Sequence, residues 1–208
     1  MGTGSKNGAE LVAIGGGIAV FIAGARRARR LDVDPGEERA FRWSNEIGDS
    51  IHPPLWAVMQ LGSLGGVIVS TVVAYLSGRR ETAARVGSGG FCAWLLCKLV
   101  KRLIGRGRPE AHLANVRVRG QAQTGLGYPS GHTAVATTMA LIAGRGSPRA
   151  TAGFLLPATA VAFSRMYVGA HLPLDIVGGA AVGVATGTAT NHLMGGPGAG
   201  AAAQTAGG

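Results

Sequence analysis

The sequence predicts an all-α fold, a polytopic membrane bundle of about six transmembrane helices. Hydrophobic residues make up 47% of the 208 positions, yet they gather in long uncharged runs separated by short basic segments. Charged residues amount to only 14%, and the run at 55–77 holds 23 residues without a charge. Uncharged runs of about 20 residues match the hydrocarbon thickness of a bilayer, and basic flanks suit its boundary with water. Several other runs fall below about 18 residues, which makes a soluble helical bundle the structural alternative. The clean run at 55–77 and the poverty of charge weigh against it.

Residues 1–8 are small and polar and read as a disordered start. The uncharged run at 11–25 is short for a full span. A signal peptide is the rival reading, because Lys6 precedes an apolar core that ends in small residues. The cluster Arg26, Arg27, Arg29 and Arg30 directly after it favours a retained anchor. Residues 26–53 are charged and read as an interfacial helix or loop, in which Asp32-Val33-Asp34 beside Pro35-Gly36 is a solvated turn sooner than a metal diad. The clean run at 55–77 follows Pro53-Pro54, and Arg79, Arg80 and Arg85 form a short basic loop. A third run starts at Val86, passes Trp94, and takes on Lys98 and Lys101 before its end. Such charges either snorkel to the interface or face a polar cavity. Residues 110–128 read as a loop, 133–144 as a fourth run, 145–149 as a turn and 150–163 as a fifth run. The sixth, 172–194, carries Gly179, Gly183 and Gly187 at intervals of four, a stripe that lets helices approach closely. Residues 1–194 thus form one membrane-embedded domain, with polar segments at 1–10 and 26–53, and 195–208 a disordered Gly/Ala-rich tail.

The net charge of +10 raises nucleic acid as a partner, but the arginines flank apolar runs and aromatic residues are only 5%, so no basic and aromatic binding face emerges. Membrane flanks and an anionic substrate account for the charge. Cys92 and Cys97, five apart in one apolar run, imply neither a disulfide framework nor a metal site.

With six crossings, the end of the third helix and the start of the fourth share a membrane face with the end of the fifth and the start of the sixth. Lys101 with Arg108-Pro109, Pro129-Ser130-Gly131-His132, and Ser164-Arg165 with His171 and Asp175 occupy those two junctions. Lys101, Arg108 and Arg165 are three cations suited to a phosphate or diphosphate. Ser130-Gly131-His132, opening a helix, offers backbone N–H groups and a positive dipole end to the same anion. Four residues separate His171 from Asp175, which places both on one helical face; a carboxylate there fixes the imidazole's tautomer and raises its basicity. His171 is then able to attack phosphorus while His132 protonates the departing oxygen. The motifs hold no carboxylate cluster for magnesium, and two histidines alone make a poor zinc site, so no metal or other cofactor is expected.

These stretches resemble the signature of the phosphatidic acid phosphatase type 2 superfamily: Lys, six residues, Arg-Pro at 101–109; Pro-Ser-Gly-His at 129–132; and Ser-Arg, five residues, His, three residues, Asp at 164–175. No signature residue departs from the pattern. The resemblance implies a six-helix membrane phosphatase that needs no metal, acting on a lipid phosphate or diphosphate. Within it His171 is the nucleophile that forms a phosphohistidine, Asp175 its partner and His132 the general acid. Lys101, Arg108, Ser130, Gly131 and Arg165 bind the phosphoryl oxygens. Soluble acid phosphatases and vanadium haloperoxidases are similar in these motifs, but the apolar runs point to the lipid-phosphatase branch, in the cell membrane of a bacterium. A non-catalytic anion-binding or transport protein, and a phosphotransferase, are the alternatives.

Other residues admit two readings. Arg102 and Arg106 extend a diphosphate site or anchor phospholipid head groups, and Arg117 and Arg119 invite the same choice. Tyr128, Tyr167 and Trp94 line a lipid entrance or belt the interface. His52, His112 and His192 read as interfacial. The Lys and Arg balance leans toward a cytoplasmic catalytic face, whereas the family resemblance implies an outward one.

Overall fold

The computed structural model describes residues 3–121 and 123–195, all helix and loop. Helices α1 (Thr3–Ala28), α2 (Pro35–Asn45), α3 (His52–Met59), α4 (Leu64–Leu76), α5 (Arg80–Ile104), α6 (Gly131–Ala143), α7 (Pro148–Tyr167) and α8 (Pro173–Leu193) follow in order. Central α6 packs on α5, α7 and α8, while α1 lies along the far side of α8, α4 on α5 and α3 on α7.

The helix ends follow local chemistry. Asp34 caps α2 by accepting from the N–H groups of Gly36 and Glu37, both at 2.9 Å, so the 32–34 acidic pair belongs to a turn, as the sequence suggested. Asp32 instead pairs with Arg27 at 2.5 Å, an arginine contact that lowers its pKa. Gly105 adopts a left-handed φ of 75° and stops α5. Cys92 is exposed and Cys97 buried, both free.

Several sequence expectations need correcting. The polar start at 3–8 is helical, because α1 extends the apolar run by two turns at its front. The expected tail, 195–208, lies outside the described residues apart from Gly195. The run at 55–77 is not one straight span: α3 and a short 3-10 turn at Gln60–Gly62 meet α4 at a 69° bend. Ser63 is extended there and caps the new helix through Gly66 N–H at 2.9 Å. Gly62 makes the bend possible, since a Cβ on it would stand 2.5 Å from the carbonyl oxygen of His132. Arg85 is not in a loop either. It is buried inside α5, pairs with Glu81, and donates to the carbonyl of Met194 at 2.6 Å, neutralising the negative end of α8.

By length and composition, Asn7–Ala28 and Arg80–Ala111 qualify as membrane spans, and the bent pair Asp49–Gly62 with Leu64–Leu76 is a third candidate among the described residues. The remaining helices do not qualify by that measure, α6 because it covers only 13 residues. They are held by packing instead. The glycine stripe on α8 lies against α6, where a Cβ at Gly183 would stand 2.6 Å from Thr137 Cβ and 2.7 Å from the Ala134 carbonyl oxygen.

Candidate active site

Pro173 opens α8 with a ready-made φ, which puts Asp175 in the first turn, where a carboxylate meets free N–H groups. Asp175 is fully buried, and its Oδ2 accepts from Leu172 N–H at 3.0 Å and lies 3.3 Å from His171 Nδ1. With Nδ1 turned to the carboxylate, Nε2 is the free nitrogen of a ring that is itself 2% exposed. His171 sits between α7 and α8. Burial, and then the charges of Lys101, Arg165 and Arg108, hold its pKa well below the ordinary range, so the imidazole is neutral.

The other oxygen of Asp175 is held by a residue that sequence reasoning left ambiguous. Arg106 is completely buried, and its Nη1 donates to Asp175 Oδ1 at 3.1 Å. The same guanidinium makes a paired contact with Glu37 of α2, at 3.0 Å from Nη1 and 2.8 Å from Nη2. Glu37 Oε1 also accepts from Leu174 N–H at 2.9 Å, securing the start of α8. A continuous chain of contacts thus runs from His171 through Asp175 and Arg106 to Glu37. Arg106 therefore faces neither a second phosphate nor a phospholipid. No local pattern marks it: Arg106 and Glu37 lie 69 positions apart and meet only because α2 folds back over α8.

Gly127 seals the carboxylate from the other side. Its N–H donates to Arg106 O at 2.7 Å, and a Cβ there would stand 2.8 Å from Asp175 Oδ2.

Three cations surround the histidines. Lys101 Nζ is held by the carbonyls of Leu126 and Gly127 at 2.8 and 3.0 Å. Arg108 donates to the carbonyl of Ala170 at 2.7 Å, and its buried Nε has no partner among the described residues. Arg165 is 3% exposed, its buried Nε is also without a partner among the described residues, and its Nη1 donates to Met59 Sδ at 2.8 Å. None of the three has a carboxylate partner among the described residues. A buried guanidinium without a counter-charge is costly, and a bound anion is what removes that cost.

Two cavities meet at these groups. One, about 430 Å³, is lined by Lys101, Arg108, Gly131, His132, Arg165 and His171 and reaches between α4 and α5 past Leu64, Trp94 and Lys98. The other, about 250 Å³, shares Arg108, His132 and Arg165 and opens past Trp56 and Gln60. The structure thus brings together seven of the eight residues expected from the sequence, six lining the cavity and Asp175 directly behind His171. Ser130 stands further back: its hydroxyl accepts from Thr133 Oγ1 at 2.9 Å and its N–H donates to the Asp175 carbonyl at 2.9 Å, tying α6 to α8. Among the described residues, no group of three or more His, Cys, Asp or Glu side chains is placed to hold a metal ion.

Other readings resolve as well. Arg119 is a clamp, not an anchor or a phosphate ligand, bonding the carbonyls of Asn45, Ile47 and Tyr167 at 2.6 to 2.9 Å and stacking 4.1 Å from the Tyr167 ring. Arg117 donates to the Glu46 carbonyl at 3.2 Å. Tyr128 and Tyr167 are fully buried core residues, so of the three aromatics only Trp94 lines the lateral cavity. His192 reaches Glu10 of α1 at 2.8 Å.

The chain is similar to several known proteins. The PAP2 superfamily matches residues 82–197. Decaprenylphosphoryl-5-phosphoribose phosphatase of Mycobacterium tuberculosis is 34% identical over 137 residues, which covers 64% of this chain and 73% of that protein. The Mycolicibacterium smegmatis protein of the same description is 30% identical over 101 residues, or 49% of this chain and 54% of that one. Among solved structures, LpxE of Aquifex aeolicus superposes with a TM-score of 0.67 at 24% identity, over 74% of this chain and 93% of that one. A transmembrane PAP2 type phosphatidylglycerolphosphate phosphatase from Bacillus subtilis gives 0.69 at 17% identity, over 85% and 94%. At those identities the two structures show a common fold.

Proposed function

The chain belongs to the PAP2 superfamily, and on that premise we propose that it is a membrane lipid phosphatase that hydrolyses a terminal phosphate monoester on a polyprenyl-linked lipid through a phosphohistidine at His171. The observation that carries the reading is the trio Lys101, Arg108 and Arg165, buried or half-buried without carboxylate partners around two histidines. The decaprenylphosphoryl-5-phosphoribose phosphatase relatives favour a polyprenyl substrate over a glycerolipid one.

In this reading the three cations and the Gly131 N–H at the start of α6 hold the phosphoryl oxygens, and Ser130 keeps that helix end in place. Nε2 of His171 attacks phosphorus; the bond to the leaving oxygen breaks, and His132 gives that oxygen its proton. Asp175 steadies the Nδ1–H as positive charge grows on the ring. Water, losing a proton to His132, then attacks phosphorus and breaks the P–N bond, freeing phosphate. Charge on the transferred group is met by fixed donors, so the reaction runs without a metal ion. The six helical units α1, α3 with α4, α5, α6, α7 and α8 cross the cell membrane, with α2 lying at its surface.

The test is phosphate release from polyprenyl and glycerolipid phosphates by detergent-purified protein in EDTA, beside His171→Ala. Release that survives chelation and vanishes in the variant supports the reading, as does an acid-labile phosphoprotein trapped from labelled substrate. Release that persists in His171→Ala refutes the nucleophile assignment.

A further inference from the structure

The lateral cavity holds more positive charge than one phosphoryl group requires. Beyond the three cations at the histidines, it is lined by Lys98 and Arg102 of α5. These two stand four positions apart on one face of α5, ahead of Arg106 and Arg108 in the chain. Lys98 lies over the Trp94 ring, 4.4 Å from its centre, and Lys98 and Arg102 are both exposed and line the cavity. Among the described residues neither forms a hydrogen bond or an ion pair, whereas Arg85 and Arg106, the other exceptional arginines of this segment, are fully committed.

The cavity wall that α5 contributes therefore reads apolar at Trp94 and cationic at Lys98 one turn on, with Arg102 on the following turn next to Lys101 of the reacting centre and Leu64 lining the cavity from α4. A lipid with a single phosphate satisfies the reacting centre and leaves the second pair idle. A lipid that matches the whole wall carries its tail at the lateral opening, an anion next to it, and the reacting monoester innermost. We propose that Lys98 and Arg102 form a second anion subsite, which takes the phosphodiester joining the head group to the lipid tail and so selects substrates bearing two separated phosphates. This rests on the reading of the cavity as a phosphatase site. The charge-assisted contacts lie away from the reacting atoms and act on substrate binding, not on the chemical step.

The experiment compares a polyprenylphosphoryl pentose 5-phosphate with a tail-matched lipid monophosphate, using wild type and the double variant Lys98→Gln/Arg102→Gln in neutral detergent. Both side chains are on the surface, so the variant keeps its fold, which its melting temperature checks. KM for the two-phosphate lipid should rise roughly tenfold or more with kcat within about twofold, while kcat/KM for the monophosphate stays within about twofold. An equal loss on both lipids, or no loss on either, overturns the subsite; the latter result makes the pair a phospholipid anchor. If wild type releases phosphate from neither lipid, the phosphatase reading fails on its own. Equilibrium binding of the same two lipids to His171→Ala, with and without the Lys98 and Arg102 changes, then decides the subsite independently of turnover.

Discussion

Asp175 has one carboxylate and two buried side-chain partners, the Arg106 guanidinium and the neutral His171 imidazole, and the balance between them sets what His171 can do. Oδ2 faces His171 while Oδ1 is occupied by Arg106, which is in turn neutralised by Glu37. Removing the arginine leaves two carboxylates buried without a cation, so Arg106→Met should cost about 3–5 kcal/mol of stability, read as a lowered midpoint of thermal unfolding in detergent. Glu37→Gln keeps Arg106 paired with Asp175; it should unfold less readily than Arg106→Met and retain more phosphate release. Equal melting of wild type and Arg106→Met would remove the arginine from any structural role. For His171, a pKa pushed down by burial and neighbouring cations keeps the ring neutral as pH falls through the ordinary histidine range near 6.5. Ring-nitrogen NMR of the substrate-free protein should show the neutral form at pH 6, and a titration midpoint near 6.5 would contradict it.

At the scale of elements, two contacts set the site: α8 against α6, and the α3–α4 bend against α6. The first depends on glycine. Gly183→Leu drives a side chain into Thr137 and the Ala134 backbone, which cannot yield as a flexible side chain would. Such overpacking costs about 1–3 kcal/mol or more, with loss of activity following as His171 and His132 separate. Gly153 on α7 meets open space, so Gly153→Ala should stabilise the protein by up to about 1 kcal/mol through helix propensity alone. Thermal unfolding of the pair checks both signs in one experiment. The bend works differently: Ser63 restarts the helix and Gly62 lets it touch the His132 carbonyl, so the run that looks most like a simple span helps shape the cavity.

For the whole molecule, the decisive matter is which side each loop faces. The proposed six crossings would place Gly78 and Ser147 on one side of the membrane and Gln121 with the candidate active site on the other. In a background with Cys92 and Cys97 replaced, single cysteines at these positions should react with an impermeant maleimide in two classes, Gly78 with Ser147 and Gln121 opposite. Labelling of all three from one side would rule out α5 and α6 as crossings. The side on which Gln121 reacts also decides between the cytoplasmic lean of the Lys and Arg balance and an outward-facing catalytic site.

Membership of a helical membrane phosphatase family was legible from the chain alone, because motif spacing and uncharged runs are local properties that survive without any knowledge of packing. The convergence of Lys101, Arg108, Gly131, His132, Arg165, His171 and Asp175 was legible for the same reason, each lying at or near a helix end. Packing decided what spacing cannot carry: that α3 and α4 bend at Ser63, that Arg85 closes α8, that Arg119 is a clamp, and that Glu37 reaches Arg106 and Asp175. Each of these joins residues distant in sequence, and a buried charge shows its partner only when the chain between them has folded.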